Sequence, residues 1–351
     1  MKSKNRDISI DLLRTLAIIF VLIIHTTSNF YVNSYSTSSF PIILTISSIT
    51  CCAVPLFYMI SGAFLINNKN TDYKSFYKKP LKIFFQTIFW TLIYLIIYKT
   101  YFHQNIELTK SIIKSFFAEQ IGHLWYMYPL IALYVLCPFI SKLYYNLNNK
   151  EKKILILTVF LIPAILCTLQ MKFWELIQIP KFAIMFPELG LFLLGKYLYE
   201  IKDDFQNKKK SILSFIGIVV GLSSIVITAL LHIKGNGISS SKPYFDANIV
   251  PVILLIASMF IFFLSIKKYL EKLPNIFKKI ITFIGSSTGG IYFIHMIFIQ
   301  VWPNISVLGV HFTQNTGSLL NMLSGAFLYL ILSVLSVLII KNIPLLKKSI
   351  Q

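Results

Sequence analysis

The feature that most constrains this chain is a series of apolar segments, each about 20 residues long and nearly free of charge. Segments of this length can cross the hydrocarbon core of a bilayer as helices. There are ten of them, at residues 8–29, 41–66, 81–101, 122–141, 154–171, 181–199, 211–233, 248–266, 280–300 and 318–340. The chain is 56% hydrophobic over 351 residues, above the share of about 45–50% that is usual in soluble proteins. The sequence predicts an all-α, polytopic integral membrane protein with about ten transmembrane helices.

The distribution of basic residues predicts how these helices cross the membrane. The chain has 33 Lys and Arg against 13 Asp and Glu, a net charge of +20. If the N-terminus is cytoplasmic, 24 of the 33 basic residues fall on the cytoplasmic side and seven on the outer side, as the positive-inside rule requires. Ten spans then make the C-terminus cytoplasmic as well. The charge thus reflects topology and attraction to anionic membrane lipid, and we exclude nucleic-acid binding.

No repeat, low-complexity region or appended soluble domain interrupts this pattern, so we expect residues 1–351 to form a single transmembrane domain. The first apolar segment lacks a small-residue cleavage site, which predicts a retained helix rather than a signal peptide. All four cysteines fall within predicted spans, which predicts free thiols rather than a disulfide framework.

The first span, DLLRTLAIIFVLIIHTTSNF at residues 11–30, carries Asp11, Arg14 and His25. An ionisable group inside a span costs about 2.5–3.5 kcal/mol on insertion scales, so it is a candidate functional residue. Arg14 and His25 are eleven residues apart, which puts them on one helix face and roughly 16 Å apart along the axis. Asp11 precedes Arg14 by three residues and is placed to pair with it. The alternatives are an Arg14 that only anchors the helix end at the interface and a purely structural His25.

Other spans contribute polar residues at a similar predicted depth, near the outer side. His123 lies in GHLWYMYPL, Glu188 in MFPELGLFLLG and His295 in GSSTGGIYFIHMIFIQ. Their agreement with His25 under one topology predicts a shared polar site. None of these histidines shows metal-ligand spacing such as H-x-x-x-H, so we expect no metal.

A basic cluster marks the predicted cytoplasmic end of the third span, in YKSFYKKPLKIFF at residues 73–85. Lys79 and Lys82 belong to it. Its lysines either reflect the positive-inside rule or contact the phosphates of a nucleotide-like substrate. The chain has no glycine-rich phosphate loop, which argues against ATP hydrolysis.

Four motifs in chain order resemble those of the family 3 membrane acyltransferases. They are the pattern D-L-L-R, ten residues, then H; VPLFYMISGAFL with Ser61 and Gly62 at its centre; HLWYMYPLIALYVLCPFI; and STGGIYFIH. The resemblance extends from about residue 7 to 340 and is greatest to the branch that includes the O-acetyltransferase of enterobacterial common antigen.

This resemblance implies transfer of an acyl group, usually acetyl, from cytoplasmic acetyl-CoA to a hydroxyl of an extracytoplasmic cell-envelope glycan or lipid-linked saccharide. It implies a place in the bacterial cytoplasmic membrane, where glycan-synthesis proteins are possible partners. The Arg and His of the family's first helix fall on Arg14 and His25. Its R-x-x-R element falls on Lys79 and Lys82, and lysine loses bidentate phosphate recognition there. Many members also carry a fused soluble domain, and we expect none within residues 1–351.

These observations assign hypothetical roles. His25 is the general base on the acceptor hydroxyl. Arg14, oriented by Asp11, and the two lysines hold the CoA phosphates. Glu188 or His295 orients His25 or binds sugar hydroxyls, and Ser61 and His123 support the site. Trp125 either stacks on a sugar or anchors the interface. The competing hypothesis is a transporter or flippase that uses the same polar cavity without chemistry.

Overall fold

A computed structural model describes residues 6–33, 39–67, 73–172, 187–236, 245–246, 248–302, 304–307, 310–313 and 319–350. These residues are almost entirely helical. The longer α-helices are α1 (Ile8–Asn33), α2 (Phe40–Thr50), α3 (Ala53–Leu65), α5 (Lys78–Thr100), α7 (Met127–Asn146), α9 (Ile162–Lys172), α10 (Pro187–Glu200), α11 (Lys208–Asn236), α12 (Val250–Ser265), α14 (Asn275–Val301) and α15 (Leu319–Asn342). The shorter ones are α4 (Tyr73–Phe76), α6 (Leu108–Ser115), α8 (Asn149–Ile156), α13 (Lys267–Leu270) and α16 (Pro344–Lys347).

Three short helices of other types and one hairpin complete the described elements. Gly122–Tyr126 and Lys202–Phe205 are 3₁₀ helices, and Leu157–Leu161 is a π-helical turn. Strands β1 (Asn304–Val307) and β2 (Val310–Thr313) pair antiparallel, with Val307 opposite Val310. The sequence analysis did not predict this hairpin.

The all-α membrane architecture predicted from the sequence is confirmed. Eight helical stretches of the described residues are long and apolar enough to cross a membrane. They correspond to eight of the ten predicted spans. The predicted spans 248–266 and 181–199 correspond to the shorter helices α12 and α10, and residues 181–186 lie outside the described residues. The number of spans and the cytoplasmic position of both termini stay predictions.

Prolines explain where two of the long apolar segments depart from a regular α-helix. The segment at 41–66 is divided between α2 and α3 at Cys51 and Cys52. Pro55 causes this break, because a proline ring inside a helix clashes with the carbonyl four residues earlier, here that of Cys51. The π-helical turn Leu157–Leu161 similarly comes just before Pro163, and such turns commonly accompany helix kinks.

Helix α1 lies at the centre of the bundle and packs against α2, α3, α14 and α15. Helices α3 and α10 approach each other closely because each has a glycine that faces the backbone of the other helix. A Cβ atom on Gly62 would overlap the backbone of Phe192, and one on Gly195 would overlap the backbone of Met59. Small residues allow this backbone contact between membrane helices, and the contact fixes α3 and α10 side by side along one wall of the bundle.

Polar contacts anchor both ends of the described chain. Asp7, just before α1, accepts hydrogen bonds from the Ser9 hydroxyl at 2.7 Å and from Lys267 Nζ at 3.1 Å. Near the other end, Trp90 Nε1 donates to the Ser349 carbonyl at 2.9 Å and Gln86 Nε2 to the Lys348 carbonyl at 2.7 Å. The segment after α15 is therefore held against α5.

Candidate active site

The C-terminal half of α1 borders a cavity of about 620 Å³, which we call the His25 cavity. Besides His25, its functional side chains come from α3, the 3₁₀ helix Gly122–Tyr126, α10, residues 245–246 and α14. These are Tyr58, His123, Trp125, Glu188, Asp246 and Tyr292. Residues that are distant in sequence thus converge on one space beside the first helix.

The three histidines from predicted spans lie together: His25 and His123 line this cavity, and His295 packs beside both rings without being a lining residue. The ring centroids of His25 and His295 are 5.2 Å apart, those of His123 and His295 5.5 Å, and those of His25 and His123 6.4 Å. His295 is fully buried and His123 is 6% exposed. Among the described residues, no group of three or more His, Cys, Asp or Glu is arranged to hold a metal ion.

The hydrogen bond of His295 determines its tautomer. His295 Nδ1 lies 2.7 Å from the backbone carbonyl of Tyr292. A carbonyl only accepts hydrogen bonds, so Nδ1 must carry a proton, and in the neutral ring Nε2 has a free lone pair. This buried Nε2 has no hydrogen-bond partner in the described structure. His295 Nε2 can therefore accept a proton or a hydrogen bond from a group that reaches it beside the His25 ring.

Two groups that line the His25 cavity also have unused hydrogen-bonding capacity. Tyr58 is only 2% exposed. Its Oη and His123 Nε2 are both buried, and neither atom has a hydrogen-bond partner among the described residues. Buried polar atoms are normally paired, since leaving one unpaired costs about 1–3 kcal/mol. The His25 cavity thus offers polar atoms that a bound ligand could satisfy.

Glu188 and Trp125 complete this wall in different ways. Glu188 lies in the first turn of α10 and lines the cavity. Trp125 lines it with a side chain that is 44% exposed. An indole at this position can contact both a ligand and the surroundings, so its two predicted roles are compatible.

The N-terminal half of α1 borders a second cavity, of about 560 Å³, which we call the Arg14 cavity. Among the described residues, Arg6 and Arg14 are the two cationic side chains that line it, and Ser61 also lines it. Aromatic groups surround them, and the Arg14 guanidinium lies 5.1 Å from the ring centroid of Phe64. The cavity therefore combines two guanidinium groups with an aromatic wall, a chemistry that suits a phosphate-bearing ligand.

Asp11 lies beneath this pair and binds both arginines. Its carboxylate accepts from Arg6 Nε at 2.5 Å and Arg6 Nη2 at 3.0 Å, and from Arg14 Nη1 at 3.5 Å. Asp11 itself is 1% exposed. A Cβ atom on Gly285 would lie 2.7 Å from the Asp11 carbonyl, so α14 passes close to this turn. The expected Asp11–Arg14 pair is present, but Arg6 forms the closer contact and was not among the predicted site residues.

Lys79 and Lys82 are not in the wall of either cavity. Both side chains are exposed, and Lys79 Nζ lies 5.4 Å from the ring centroid of Phe76. Each is four residues before a residue that lines the Arg14 cavity, namely Ile83 and Gln86, and therefore occupies the same ridge of α5 one turn earlier. Their predicted phosphate contact would have to occur outside the cavity.

Tyrosines separate the two cavities. Tyr292 lines both, Tyr58 lines the His25 cavity and Tyr126 lines the Arg14 cavity. The ring centroid of Tyr126 is 4.9 Å from that of Tyr58 and 5.6 Å from that of Tyr292. Tyr292 Oη also donates to the His123 carbonyl. A single layer of aromatic rings thus lies between the arginines and the histidines.

Comparison with protein families identifies the family to which the chain belongs. Residues 7–341 match the model of the acyltransferase 3 family, described as an acyltransferase domain. The chain belongs to the acyltransferase 3 family. It is a multi-pass membrane acyltransferase, as its helices and its sequence motifs both indicate. The comparisons with characterised proteins and with solved structures gave no match.

In this acyltransferase, the lining residues that sequence reasoning missed include Arg6, Tyr58, Asp246 and Tyr292. Arg6 precedes the first span and was counted among the charges that set topology. The two tyrosines belong to motifs already singled out, VPLFYMISGAFL and STGGIYFIH. A polar aromatic residue within a conspicuous motif was the available signal for both.

The geometry of the acyltransferase allows a specific division of tasks. Arginines at one end of α1 can bind an anionic donor, and imidazoles at the other end can accept a proton from a hydroxyl. Of the residues predicted from the sequence for these tasks, Arg14 lines the Arg14 cavity, and His25 and His123 line the His25 cavity. His295 lies beside His25, and Lys79 and Lys82 line neither cavity.

Proposed function

We propose that this membrane acyltransferase moves an acetyl group from acetyl-CoA to a hydroxyl of an extracytoplasmic cell-envelope saccharide. The observation that carries the proposal is the pair of cavities along α1, which meet at Tyr292 and contain Arg14 in one and His25 in the other. With a cytoplasmic N-terminus, the Arg14 cavity faces the compartment that supplies acetyl-CoA, and the protein belongs in a bacterial cytoplasmic membrane.

The donor fits the Arg14 cavity by charge and shape. Arg6 and Arg14 would bind its phosphates, and their common partner Asp11 holds both guanidiniums in place. The narrow pantetheine arm would then extend along α1 toward His25, past the tyrosine layer. The distance along the helix between the two residues, roughly 16 Å, is suited to an extended arm.

The chemical step follows from the position of the imidazoles. His25 takes the proton of the acceptor hydroxyl while its oxygen attacks the thioester carbonyl, and a C–O bond forms as the C–S bond breaks. The CoA thiolate leaves and takes the proton from His25, so the products are an O-acetyl ester and free CoA. His295, beside His25, is a positioning residue that stabilises the transient imidazolium through its free Nε2.

The alternative is a transporter or flippase. A layer that separates two cavities on opposite sides also suits alternating access in a carrier. Membership of the acyltransferase 3 family favours chemistry. The closer resemblance to the O-acetyltransferase branch of enterobacterial common antigen stays a prediction, and so does any association with glycan-synthesis partners.

The test uses inverted membrane vesicles from cells that express the chain, in which the cytoplasmic face is accessible. Vesicles receive acetyl-CoA labelled in its acetyl group, and we measure CoA release and hydroxylamine-labile label on saccharides. We expect His25→Asn to reduce both by at least about 100-fold. His103→Asn is the matched control, since His103 is exposed and distant in sequence from the motifs. Equal activity of wild type and His25→Asn would refute the proposed base, and solute uptake without CoA release would indicate the carrier.

A further inference from the structure

The two cavities differ in charge. The described residues that line the Arg14 cavity include Arg6 and Arg14 and no Asp or Glu. The described residues that line the His25 cavity include Glu188 and Asp246 and no Lys or Arg. Charge of one sign in a low-dielectric cleft attracts ligands of opposite sign and repels those of like sign.

Unpaired polar atoms indicate that the His25 cavity receives a ligand. Tyr58 and His123 both line it, both are more than nine-tenths buried, and Tyr58 Oη and His123 Nε2 lack partners among the described residues. A hydroxyl group and an imidazole nitrogen pair readily with the hydroxyls of a sugar. These atoms are independent of the carboxylates and belong to other elements, α3 and the 3₁₀ helix Gly122–Tyr126.

We infer that the acceptor is a saccharide whose accepting residue carries no negative charge, either neutral or amino-bearing, and that the His25 cavity excludes uronate and phosphate-bearing sugars. This inference rests on the proposed function, because the saccharide is an acceptor only if the protein transfers an acyl group. Glu188 and Asp246 determine the exclusion. An anionic sugar beside them would find no Lys or Arg to pair with in the described wall and would be repelled by the two carboxylates. The vicinal hydroxyls of a neutral sugar, by contrast, can donate hydrogen bonds to these carboxylates.

The first test needs no acyl transfer. Cys51 lines the His25 cavity and is a free thiol, so two methanethiosulfonates of similar size, one with a trimethylammonium and one with a sulfonate, can report the local potential. The purified protein carries Cys167→Ala, and Cys51→Ala in the same background provides the blank. Each rate is divided by the rate of the same reagent with 2-mercaptoethanol.

We expect the cationic reagent to modify Cys51 about tenfold faster than the anionic one, and Glu188→Gln with Asp246→Asn to remove most of that preference. Glu107→Gln is the control, since Glu107 is an exposed carboxylate elsewhere. Equal rates, or a preference for the sulfonate, would overturn the inference. Lys181 and Lys242 lie outside the described residues, and a sulfonate preference that disappears on replacing them by alanine would overturn it as well.

The second test measures transfer to three methyl glycosides that differ mainly in charge: methyl β-glucoside, glucosaminide and glucuronide. Detergent-solubilised protein receives labelled acetyl-CoA, and only hydroxylamine-labile label is counted, because an acetylated amine resists hydroxylamine. We expect the glucuronide to be at least tenfold poorer than the glucoside, and Glu188→Gln to reduce that ratio.

The two tests separate the inference from the proposed function. Equal transfer to glucoside and glucuronide would refute the charge selection and support acyl transfer. The opposite outcome combines three results: Cys51 prefers the cationic reagent, no glycoside is acetylated, and the His25→Asn variant releases CoA as fast as wild type. That outcome would support the charge selection and count against acyl transfer.

Discussion

The rings of His25 and His295 lie with their centroids 5.2 Å apart, although 270 residues separate them in sequence. His295 Nδ1 donates to the Tyr292 carbonyl, which leaves Nε2 as the atom able to act on its neighbour. The ring therefore has one structural nitrogen and one free nitrogen, and the two can be tested separately.

We predict that His295→Asn lowers the turnover number about 10- to 100-fold and leaves the KM for acetyl-CoA unchanged. The asparagine amide can replace Nδ1–H as donor to the Tyr292 carbonyl, but it has no atom at the position of Nε2. Steady-state kinetics as a function of pH in solubilised protein would check this, because loss of a partner of the base changes the pH profile.

A purely structural His295 would give a different result. His295→Asn would then retain most activity and the wild-type pH profile, while His295→Ala would unfold at lower temperature. Thermal unfolding of both variants in detergent separates loss of the fold from loss of the free nitrogen.

We predict that Arg6→Ala and Arg14→Ala each raise the KM for acetyl-CoA about tenfold, and that Lys79→Ala or Lys82→Ala raises it less than about threefold. A charged hydrogen bond is worth about 1.5–3 kcal/mol, and of these four basic residues only the two arginines line the Arg14 cavity. Comparison of CoA with 3′-dephospho-CoA as competitive inhibitors of each variant would show which residue contacts the 3′-phosphate. The reverse order, with lysine variants more damaging, would mean that the phosphates bind outside the cavity along the first turns of α5.

The sequence predicted the architecture because apolar length is a local property. Each span needs only about 20 uncharged residues, and the break at Cys51 and Cys52 follows from Pro55 through the same local rule. The hairpin β1–β2, which follows α14, was not predicted because its sequence carries no comparable local pattern. The shortness of α12 was not visible either, since apolar residues extend beyond its ends.

The sequence also predicted residues that the structure brings together, because position within a predicted span gives depth once the topology is assigned. His25, His123, Glu188 and His295 share a similar predicted depth on that basis. Tyr292 was not predicted, because lining both cavities depends on how α14 is rotated against α1 and α3. Arg6 was missed for another reason: it precedes the helix, so periodicity says nothing about where its side chain lies.

We predict that the protein loses stability as the pH falls below about 4, and that Asp7 causes part of this loss. Burial alone would raise the pKa of Asp7, but hydrogen bonds from Ser9 and Lys267 and the charge of Lys267 hold it below the ordinary value of 3.8. A carboxyl whose pKa is lower in the folded state stabilises the fold above its unfolded pKa, and this contribution disappears as the pH falls through the folded pKa. Asp7 ties the start of α1 to Lys267 at 3.1 Å, so its protonation releases that end of the central helix.

Thermal unfolding midpoints of solubilised protein between pH 3 and pH 7 would measure this effect. Asp7→Asn should destabilise the protein by about 2 kcal/mol at pH 7, the value of a hydrogen bond to a charged group, and should flatten the decline at low pH. Asp203→Asn serves as the control, because Asp203 is an exposed carboxylate whose protonation changes no buried ion pair. An acid decline of equal size in wild type and Asp7→Asn would show that other carboxylates, rather than this contact at the start of α1, account for it.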